Sequence, residues 1–361
     1  MTLLASTRAR RGGIIAVAAA VLAALTVAAL AVTGPTRAAA AQQRPAQPLG
    51  SVLGSRFAAM ALAAGQTTAG SAGSLIYQNG RYTALGSLPG LTTIHTDINN
   101  RGEIAGSYVT GGVTAHGFIR DAGGHYTTFD AAAAPGTMTE AAGINNQGTV
   151  VGAYGVTVPH GFVRSPAGTI TTVNVPGSQD TLLYGVNDSG ALVGSYVDAQ
   201  GLEHGFMLEN GTLTVIDPPG SPASPAARDT GATDINDQGQ IVGFYADATG
   251  TYHGYLYDKG RFTRLDPPGA ADVPNFATTV PWGINDRGQV VGQYVDAAAV
   301  LHGYLWQPGR GFTTIDPPQI TSFDFGVPGA GTIASDINDR GQIILPLPGG
   351  LYKGRAVPIS G

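Results

Sequence analysis

The sequence predicts an all-β fold, a six-bladed β-propeller built from four-stranded repeats. Gly and Pro account for 54 and 23 of the 361 residues, and charged residues make up only 12%, a composition that disfavours long helices. Hydrophobic residues reach 43%, which is enough for a core. A short motif returns every 42–53 residues, which is the length of a four-stranded propeller blade and too long for one rung of a parallel β-helix.

The repeated motif has the form Ile/Val-Asn-Asn/Asp-x-Gly. Its first Asn occurs six times, at Asn99, Asn145, Asn187, Asn236, Asn285 and Asn338. A Thr stands six residues before each of them, at Thr93, Thr139, Thr181, Thr230, Thr279 and Thr332. A His-Gly-aromatic sequence follows in five copies, at His116, His160, His204, His253 and His302. We expect these Thr and His to be structural residues of the repeat.

Each repeat predicts four short strands, A to D. Strand A ends at the Ile-Asn pair, strand B is the Ile-Val-Gly-x-Tyr stretch, strand C begins at His-Gly, and strand D is the Phe-Thr-x-Ile-Asp stretch. The Asn-Asp-x-Gly sequence between A and B suits a type I turn followed by Gly in the left-handed region, because Gly takes a positive φ without steric cost. We expect the same turn at the Asn-Gly and Lys-Gly pairs between C and D.

The two ends of the repeat array predict a closed ring. Residues 75–85 match strands C and D with no A or B before them, and residues 332–347 supply an A and a B. The two halves together make the sixth blade. The N-terminal strands would then pair with the C-terminal repeat and leave no sheet edge at the seam. Seven blades are the alternative count.

The repeats resemble the HAF repeat family of bacterial extracellular proteins. The resemblance rests on Ile-Asn-Asp-x-Gly-Gln-Ile-Val-Gly followed by His-Gly-Phe/Tyr, with Gly where the family name has Ala, and it covers roughly residues 73–345. It implies export and a repetitive β architecture. It implies no activity and no catalytic residues.

Residues 1–41 indicate a signal peptide. Three arginines precede an apolar run over residues 14–32, and the small residues 38–41 then suit a signal peptidase. We expect the mature chain to begin near Gln42. The apolar run of 19 residues is also long enough to span a bilayer, so a retained membrane anchor is the alternative.

Residues 42–72 are predicted to be a low-complexity linker, and residues 73–361 the propeller domain. Cleavage removes four arginines and no acidic residue, which takes the net charge from −5 to −9. An acidic protein is a poor partner for nucleic acid, and we expect membrane contact only if the N-terminal segment is retained. The chain has no Cys, which excludes disulfides and thiolate chemistry. We expect a secreted, extracellular monomer, with the cell envelope as the alternative location.

No cofactor, metal site or catalytic site is predicted. Equivalent strand C positions in a six-fold ring lie more than about 10 Å apart, so the five His cannot share a metal whose bonds to nitrogen are about 2 Å. We expect each His to form hydrogen bonds within or between blades, with the repeated Thr as a candidate partner. The A–B turns lack the Asp or Asn before Gly and the bidentate Glu of a calcium loop.

The loops that differ between repeats are the candidates for binding. The B–C and D–A loops vary in length and content, and rigid scaffolds commonly carry function on such loops. Five non-repeated residues in or near them are candidate ligand contacts: His95, Glu140, Tyr184, Arg228 and Trp282. Tyr184 and Trp282 share one repeat position. An aromatic near a channel mouth suits sugars or apolar groups, and packing between blades is the alternative role.

The sequence favours a secreted, non-enzymatic propeller that binds a protein or a glycan through its D–A and B–C loops. Repetition explains nearly every polar residue, and no catalytic set stands out. A secreted hydrolase or lyase at the channel mouth is the first alternative, and it needs groups such as His95 and Glu140 to converge. A structural domain associated with the cell wall is the second.

Overall fold

The chain forms a six-bladed β-propeller, as the repeat predicts. The computed structural model describes eight stretches of the chain: residues 74–89, 91–111, 114–132, 137–221, 230–272, 278–298, 300–317 and 331–346. Within them the strands form six four-stranded antiparallel sheets, which we call blades I to VI. In these stretches no helix is long and apolar enough to cross a membrane.

The strands follow the predicted order A to D within each blade. Blade VI takes its strands C and D from the N-terminus, as β1 (Ser74–Gln78) and β2 (Arg81–Leu85). Blade I contains β3 (Thr92–Ile98), β4 (Ile104–Thr110), β5 (Thr114–Arg120) and β6 (Tyr126–Phe129). Blade II contains β7 (Met138–Ile144), β8 (Val150–Gly155), β9 (His160–Arg164) and β10 (Ile170–Val173). Blade III contains β11 (Asp180–Val186), β12 (Leu192–Val197), β13 (Glu203–Glu209) and β14 (Thr212–Val215).

The remaining strands complete the ring. Blade IV contains β15 (Thr230–Ile235), β16 (Ile241–Ala246), β17 (Tyr252–Asp258) and β18 (Arg261–Arg264). Blade V contains β19 (Thr279–Ile284), β20 (Val290–Val295), β21 (Leu301–Gln307) and β22 (Gly311–Ile315). Blade VI takes its strands A and B from the C-terminal repeat, as β23 (Asp336–Ile337) and β24 (Ile343–Pro346).

The two kinds of tight turn differ in backbone geometry. In the A–B turns only the Gly has a positive φ, as at Gly239 with +77°, which agrees with the predicted type I turn. In the C–D turns of blades III, IV and VI, both central residues have a positive φ, as at Asn210 with +49° and Gly211 with +78°. These are type I′ turns rather than the expected repeat of the A–B geometry. The type I′ twist matches two strands joined by only two residues.

The hydrophobic core is divided into clusters that lie between neighbouring blades. Val193 of blade III, for example, packs with Ile235 and Ile241 of blade IV. Equivalent clusters join the other five pairs of neighbours, including blades VI and I. Each blade therefore buries both of its faces only when both of its neighbours are present.

The ring closes through the N-terminal strands, as predicted. β1 lies between β2 and β24, and its four pairs with β24 include Leu75 opposite Leu345. Leu345, which replaces the usual Gly of strand B, is buried beside Leu75 in the core between blades V and VI. The predicted signal peptide, the linker and the tail after residue 346 lie outside the described residues.

Candidate functional site

The two ends of the propeller are built differently. One end, here called the turn face, carries the six A–B turns that start at the repeated Asn residues. The other end, here called the loop face, carries the B–C and D–A loops. The central channel between them is lined by the six strands A, which are β3, β7, β11, β15, β19 and β23.

A closed ring of six asparagines holds the turn face together. The side-chain amide of Asn99 donates to the carbonyl of Asn145 at 3.0 Å, and the same bond recurs around the ring to Asn338, which donates back to Asn99. All six are buried. Within its own turn the Asn236 Oδ1 accepts the amides of Gln238 and Gln240. Only Asn supplies this acceptor and the donor to the next blade together, which explains why the position never varies.

A second ring runs outside the first, through the next residue of each turn. Each backbone amide donates at 2.7–2.8 Å to the side-chain oxygen of the equivalent residue in the next blade. The six members are Asn100, Asn146, Asp188, Asp237, Asp286 and Asp339. Four neighbouring blades thus place carboxylates side by side. Burial, together with Asp237 and Asp339, raises the pKa of Asp286 to about 6.

We expect Asp286→Asn to stabilise the protein above pH 6. Because the folded pKa of Asp286 lies above its ordinary value of 3.8, its contribution to stability is full below about pH 4 and is lost as the pH rises through 6. An amide carries no charge, and it can donate to the next carboxylate as Asn146 does to Asp188 at 3.1 Å. Thermal melts at pH 4 and pH 7.5 measure the effect.

The control for this prediction is Asp272→Asn, which removes the same charge from an exposed position in a D–A loop. The melting temperature of Asp286→Asn should exceed that of the control at pH 7.5, and the two should converge at pH 4. Equal melting temperatures at pH 7.5 would show that repulsion between Asp286 and its neighbouring aspartates does not lower the stability of the protein.

Three aspartates line the channel just inside the turn face. Asp97, Asp234 and Asp336 stand one residue before the Ile that ends strand A, and each accepts the backbone amide of an Ile in the next blade at 2.6–2.8 Å. Together with the turns they enclose a cavity of about 70 Å³. Burial and the neighbouring Asp336 raise the pKa of Asp97 well above its usual range. In the described part of the chain, no three His, Asp or Glu side chains are arranged to hold a metal ion.

Glycines in the other blades make room for these aspartates. A Cβ on Gly185 would lie 2.8 Å from the Oδ1 of Asp234, and a Cβ on Gly283 would lie 2.2 Å from the Oδ1 of Asp336. Asp97 does not face a glycine, because blade VI carries Asp336 at the position that Gly185 and Gly283 occupy in blades III and V. The two carboxyls face each other there, at the seam of the ring, and the charge of Asp336 favours the protonated form of Asp97.

Tyr184 and Trp282 lie in the central channel and fill part of it. Trp282 packs with Val280 and Phe244, is only 9% exposed, and donates its indole N–H to Gln293 at 3.2 Å. Tyr184 packs against the same cluster, and its hydroxyl lies 3.2 Å from the Oγ of Ser195. The structure thus brings together the two aromatics that share one repeat position. Both are packed inside the ring.

Carboxylates surround the Tyr184 hydroxyl on the side toward the loop face. Burial raises the pKa of Tyr184 well above its usual value, and the negative charges of Glu203, Asp180 and Glu140 raise it further. Glu140 is thus close enough to act electrostatically on the Tyr184 hydroxyl. Sequence reasoning missed Asp180 and Glu203, which open β11 and β13 and carry no mark of the repeat. Arg228 lies outside the described residues.

His95 lies away from the channel, in the contact between blades VI and I. Its Nδ1 is 2.9 Å from the Oγ of Ser74 on β1, and its Nε2 is 3.1 Å from the hydroxyl of Tyr126 on β6. Burial and the charge of Arg120 lower the pKa of His95 to about 3, so the ring is neutral. Its position in strand A is one residue off that of Glu140, so the two side chains leave opposite faces of the strand. The expected convergence of His95 with Glu140 is absent.

The five repeated histidines bond to residues other than the repeated threonines. Each Nδ1 lies within 2.7–3.3 Å of a side-chain oxygen just after strand D: Asp130, Asn174, Asp217, Asp266 and Asp316. The threonines are all buried instead, and Thr93, Thr139 and Thr181 accept backbone amides from the D–A loops that precede them. The expected hydrogen bonds exist, but the suggested partner was wrong, since the side-chain oxygens just after strand D occupy the histidine Nδ1 atoms instead.

Two exposed valines mark the loop face. Val156 and Val158 in the B–C loop of blade II are 54% and 46% exposed. The same loop touches the channel rim, because the carbonyl of Pro159 accepts the amide of Thr181 at the start of β11. Leu213 and Val215 are comparably exposed, at 37% and 46%, but they lie on β14 at the outer edge of blade III.

Comparison with known proteins identifies no family for this chain. No family model matches it, and no curated protein matches it. Among solved structures, TolB from Acinetobacter baumannii is 14% identical with a TM-score of 0.47; the match covers 78% of this chain but only 64% of TolB. The six-bladed Aleuria aurantia lectin is 11% identical (TM-score 0.42; 66% and 83% covered). AofleA from Arthrobotrys oligospora is 11% identical (TM-score 0.42; 75% and 81% covered).

Proposed function

We propose that the protein is a secreted, non-enzymatic propeller that binds a partner through its loop face. The contrast between the two faces carries the proposal. The polar groups of the turn face are engaged in two complete rings of hydrogen bonds, and they repeat from blade to blade. The loop face differs from blade to blade and exposes Val156 and Val158 beside the channel rim. We also propose that the chain is a member of the HAF repeat family.

A protein partner fits this face better than a glycan. Sugars are commonly held on exposed aromatic rings, whereas Trp282 and Tyr184 are packed inside the channel. Exposed aliphatic side chains gain most from burial against another apolar surface. Val156 and Val158 supply such a surface on a loop that is anchored to the next blade. A glycan partner is the other outcome of the test.

The enzymatic alternative required His95 and Glu140 to converge at the channel mouth, and these two side chains do not converge. His95 is buried between two blades with a low pKa, and both of its ring nitrogens are hydrogen-bonded. It is therefore part of the ring closure. The wall-associated structural role predicts no saturable partner, so the binding experiment distinguishes it from the proposal.

The double variant Val156→Ser/Val158→Ser should weaken partner binding about tenfold, which corresponds to about 1.4 kcal/mol. The mature chain is immobilised and offered proteins secreted by the source culture and, separately, an array of glycans. Affinity for each captured partner is then compared between the parent and the variant. Both valines are exposed, so the variant should melt like the parent.

The matched control is Leu213→Ser/Val215→Ser, which removes a similar exposed apolar area from the outer edge of blade III. It should bind like the parent. Trp282→Ala is a poorer probe, because removing a buried Trp costs about 3–5 kcal/mol of stability by itself. Equal loss of affinity in both double variants, or saturable capture of glycans with no captured protein, would reject a protein partner at Val156 and Val158.

A further inference from the structure

Three consecutive blades hold their B–C loops through the same chain of contacts. In blade IV the Nδ1 of His253 lies 2.9 Å from Asp266 after strand D, and its Nε2 lies 3.2 Å from Asp247 in the B–C loop. Blade III repeats the chain with His204, Asp217 and Asp198 at 2.7 and 3.3 Å, and blade V repeats it with His302, Asp316 and Asp296 at 2.7 and 3.3 Å.

The aspartate at the loop end of each chain shapes the loop itself. The Oδ1 of Asp247 accepts the amides of Thr249 and Thr251 at 2.8 and 3.0 Å, while its Oδ2 faces His253. Asp198 and Asp296 accept two loop amides in the same way. The imidazole thus ties the carboxylate that orders the loop to the end of strand D.

This arrangement requires the charged form of each histidine. A carboxylate can only accept hydrogen bonds, and a neutral imidazole has one N–H to donate. With a carboxylate at each ring nitrogen, His204, His253 and His302 form both bonds only as imidazolium. Deprotonation removes one of the two bonds and leaves a lone pair facing a carboxylate.

The groups around the three imidazoles favour the same protonation state. Each ring also packs against the tyrosine of strand B in its own blade. His204 faces Asp198, Asp217 and Tyr196, and His302 faces Asp296, Asp316 and Tyr294. His253 faces Asp247, Asp266 and Tyr245, and also Arg264. The hydrogen bond that His204 donates to Asp217 raises the pKa of His204. The bond that His253 donates to Asp266 raises the pKa of His253 against the opposing charge of Arg264. Burial lowers the pKa of His302, but the effect of Asp316 and Asp296 is larger, so the pKa of His302 is raised.

Blades I and II lack this arrangement and serve as internal controls. His116 pairs with Asp130, but its other nitrogen faces the hydroxyl of Thr110, which can donate to a neutral ring. His160 hydrogen-bonds to the side chain of Asn174 and packs against Tyr154. Neither histidine needs a second proton to keep its contacts.

We propose that His204, His253 and His302 are proton-dependent latches that order three neighbouring B–C loops on the loop face. They close as the pH falls through the raised histidine pKa and open as it rises above that value. At the acid end, burial disfavours the loop carboxylates, but the loop amides and the histidines together hold their pKa below the ordinary value. The latches therefore stay closed from mildly acidic to near-neutral pH and open in alkali. That partner binding follows the latches rests on the proposed function.

The direct test is a histidine titration by NMR on the full mature chain, together with amide hydrogen exchange. His204, His253 and His302 should titrate above the ordinary histidine value of 6.5. After correction for intrinsic rates, the amides of Leu202, Thr251 and Val300 should exchange about tenfold more slowly at pH 6 than at pH 8, as expected from the loss of one charge-assisted hydrogen bond. Neither measurement needs a partner, so failure of the proposed function does not affect it.

The variant Asp247→Asn separates a latch from an ordinary structural contact. Its amide oxygen keeps the two loop bonds, and its Nδ2–H can donate to the Nε2 of a neutral His253, so protection of Thr251 should lose its pH dependence. Leu202 and Val300 in the same molecule should keep theirs. The proposal is overturned if the three histidines titrate at or below the ordinary histidine value of 6.5, or if wild-type protection of these amides is the same at pH 6 and pH 8.

Discussion

Deletion of residues 74–85 is expected to open the ring, so that the shortened protein aggregates or melts at a temperature lower by about 10 °C or more. The segment supplies β1 and β2, and its removal exposes the backbone edge of β24. It also removes Leu75 and Leu85 from the cores on either side of blade VI. The loss of each buried Leu costs about 2–5 kcal/mol, and each kcal/mol lowers the melting temperature by a few degrees in a domain of this size.

The deletion also removes Ser74, which bonds to the buried His95, and Gln78, which donates to the carbonyl of Arg340 on the turn face. The matched control lacks residues 42–72 only and should melt like the parent. Size-exclusion chromatography and thermal melting measure both proteins. A monomeric 74–85 deletion with the parent's melting temperature would refute closure of the ring by these strands.

Asp97→Asn should raise the free energy of unfolding at pH 8 by about 1–3 kcal/mol, whereas Asp234→Asn should lower it by a similar amount. Burial and the neighbouring Asp336 raise the pKa of Asp97, so its stabilising contribution is lost as the pH rises through that raised value. In the variant, the Asn oxygen can accept the amide of Ile144 while its uncharged NH₂ group donates to Asp336.

Burial and the charge of Asp336 raise the pKa of Asp234 as well. Asp234 nevertheless gives the opposite result, because both of its oxygens accept backbone amides and the loss of one such bond outweighs the relief of charge. The two oxygens accept the amides of Ile235 and Ile284, each at 2.8 Å. An Asn side chain would turn its NH₂ group toward one of these N–H groups and lose that bond. The two variants remove the same charge from the same channel, so denaturant titrations at pH 5 and pH 8 compare them directly. Stabilisation by both variants would mean that net charge alone governs the channel.

Placement of the candidate site depended on packing that periodicity does not describe. Tyr184 and Trp282 could be assigned to one repeat position, and the structure places them together in the channel. His95 occupies the neighbouring position on strand A, which turns it to the other side of the strand and into the seam. Alternation along strand A already places His95 and Glu140 on opposite faces, but it does not show that Ser74 and Tyr126 enclose the imidazole at the seam.

The strands, the A–B turns, the number of blades and the closure of the ring could be predicted from the sequence. Each of these depends on residues within about ten positions of one another, such as the Asn and Gly of an A–B turn, or on a count of repeats. The contacts that join the blades could be seen only in the folded ring. Asn99 bonds to Asn145, 46 residues away, and Asp97 meets Asp336 across the seam. Such contacts depend on the curvature of the closed ring, which brings equivalent residues within hydrogen-bond distance only after all six blades have packed.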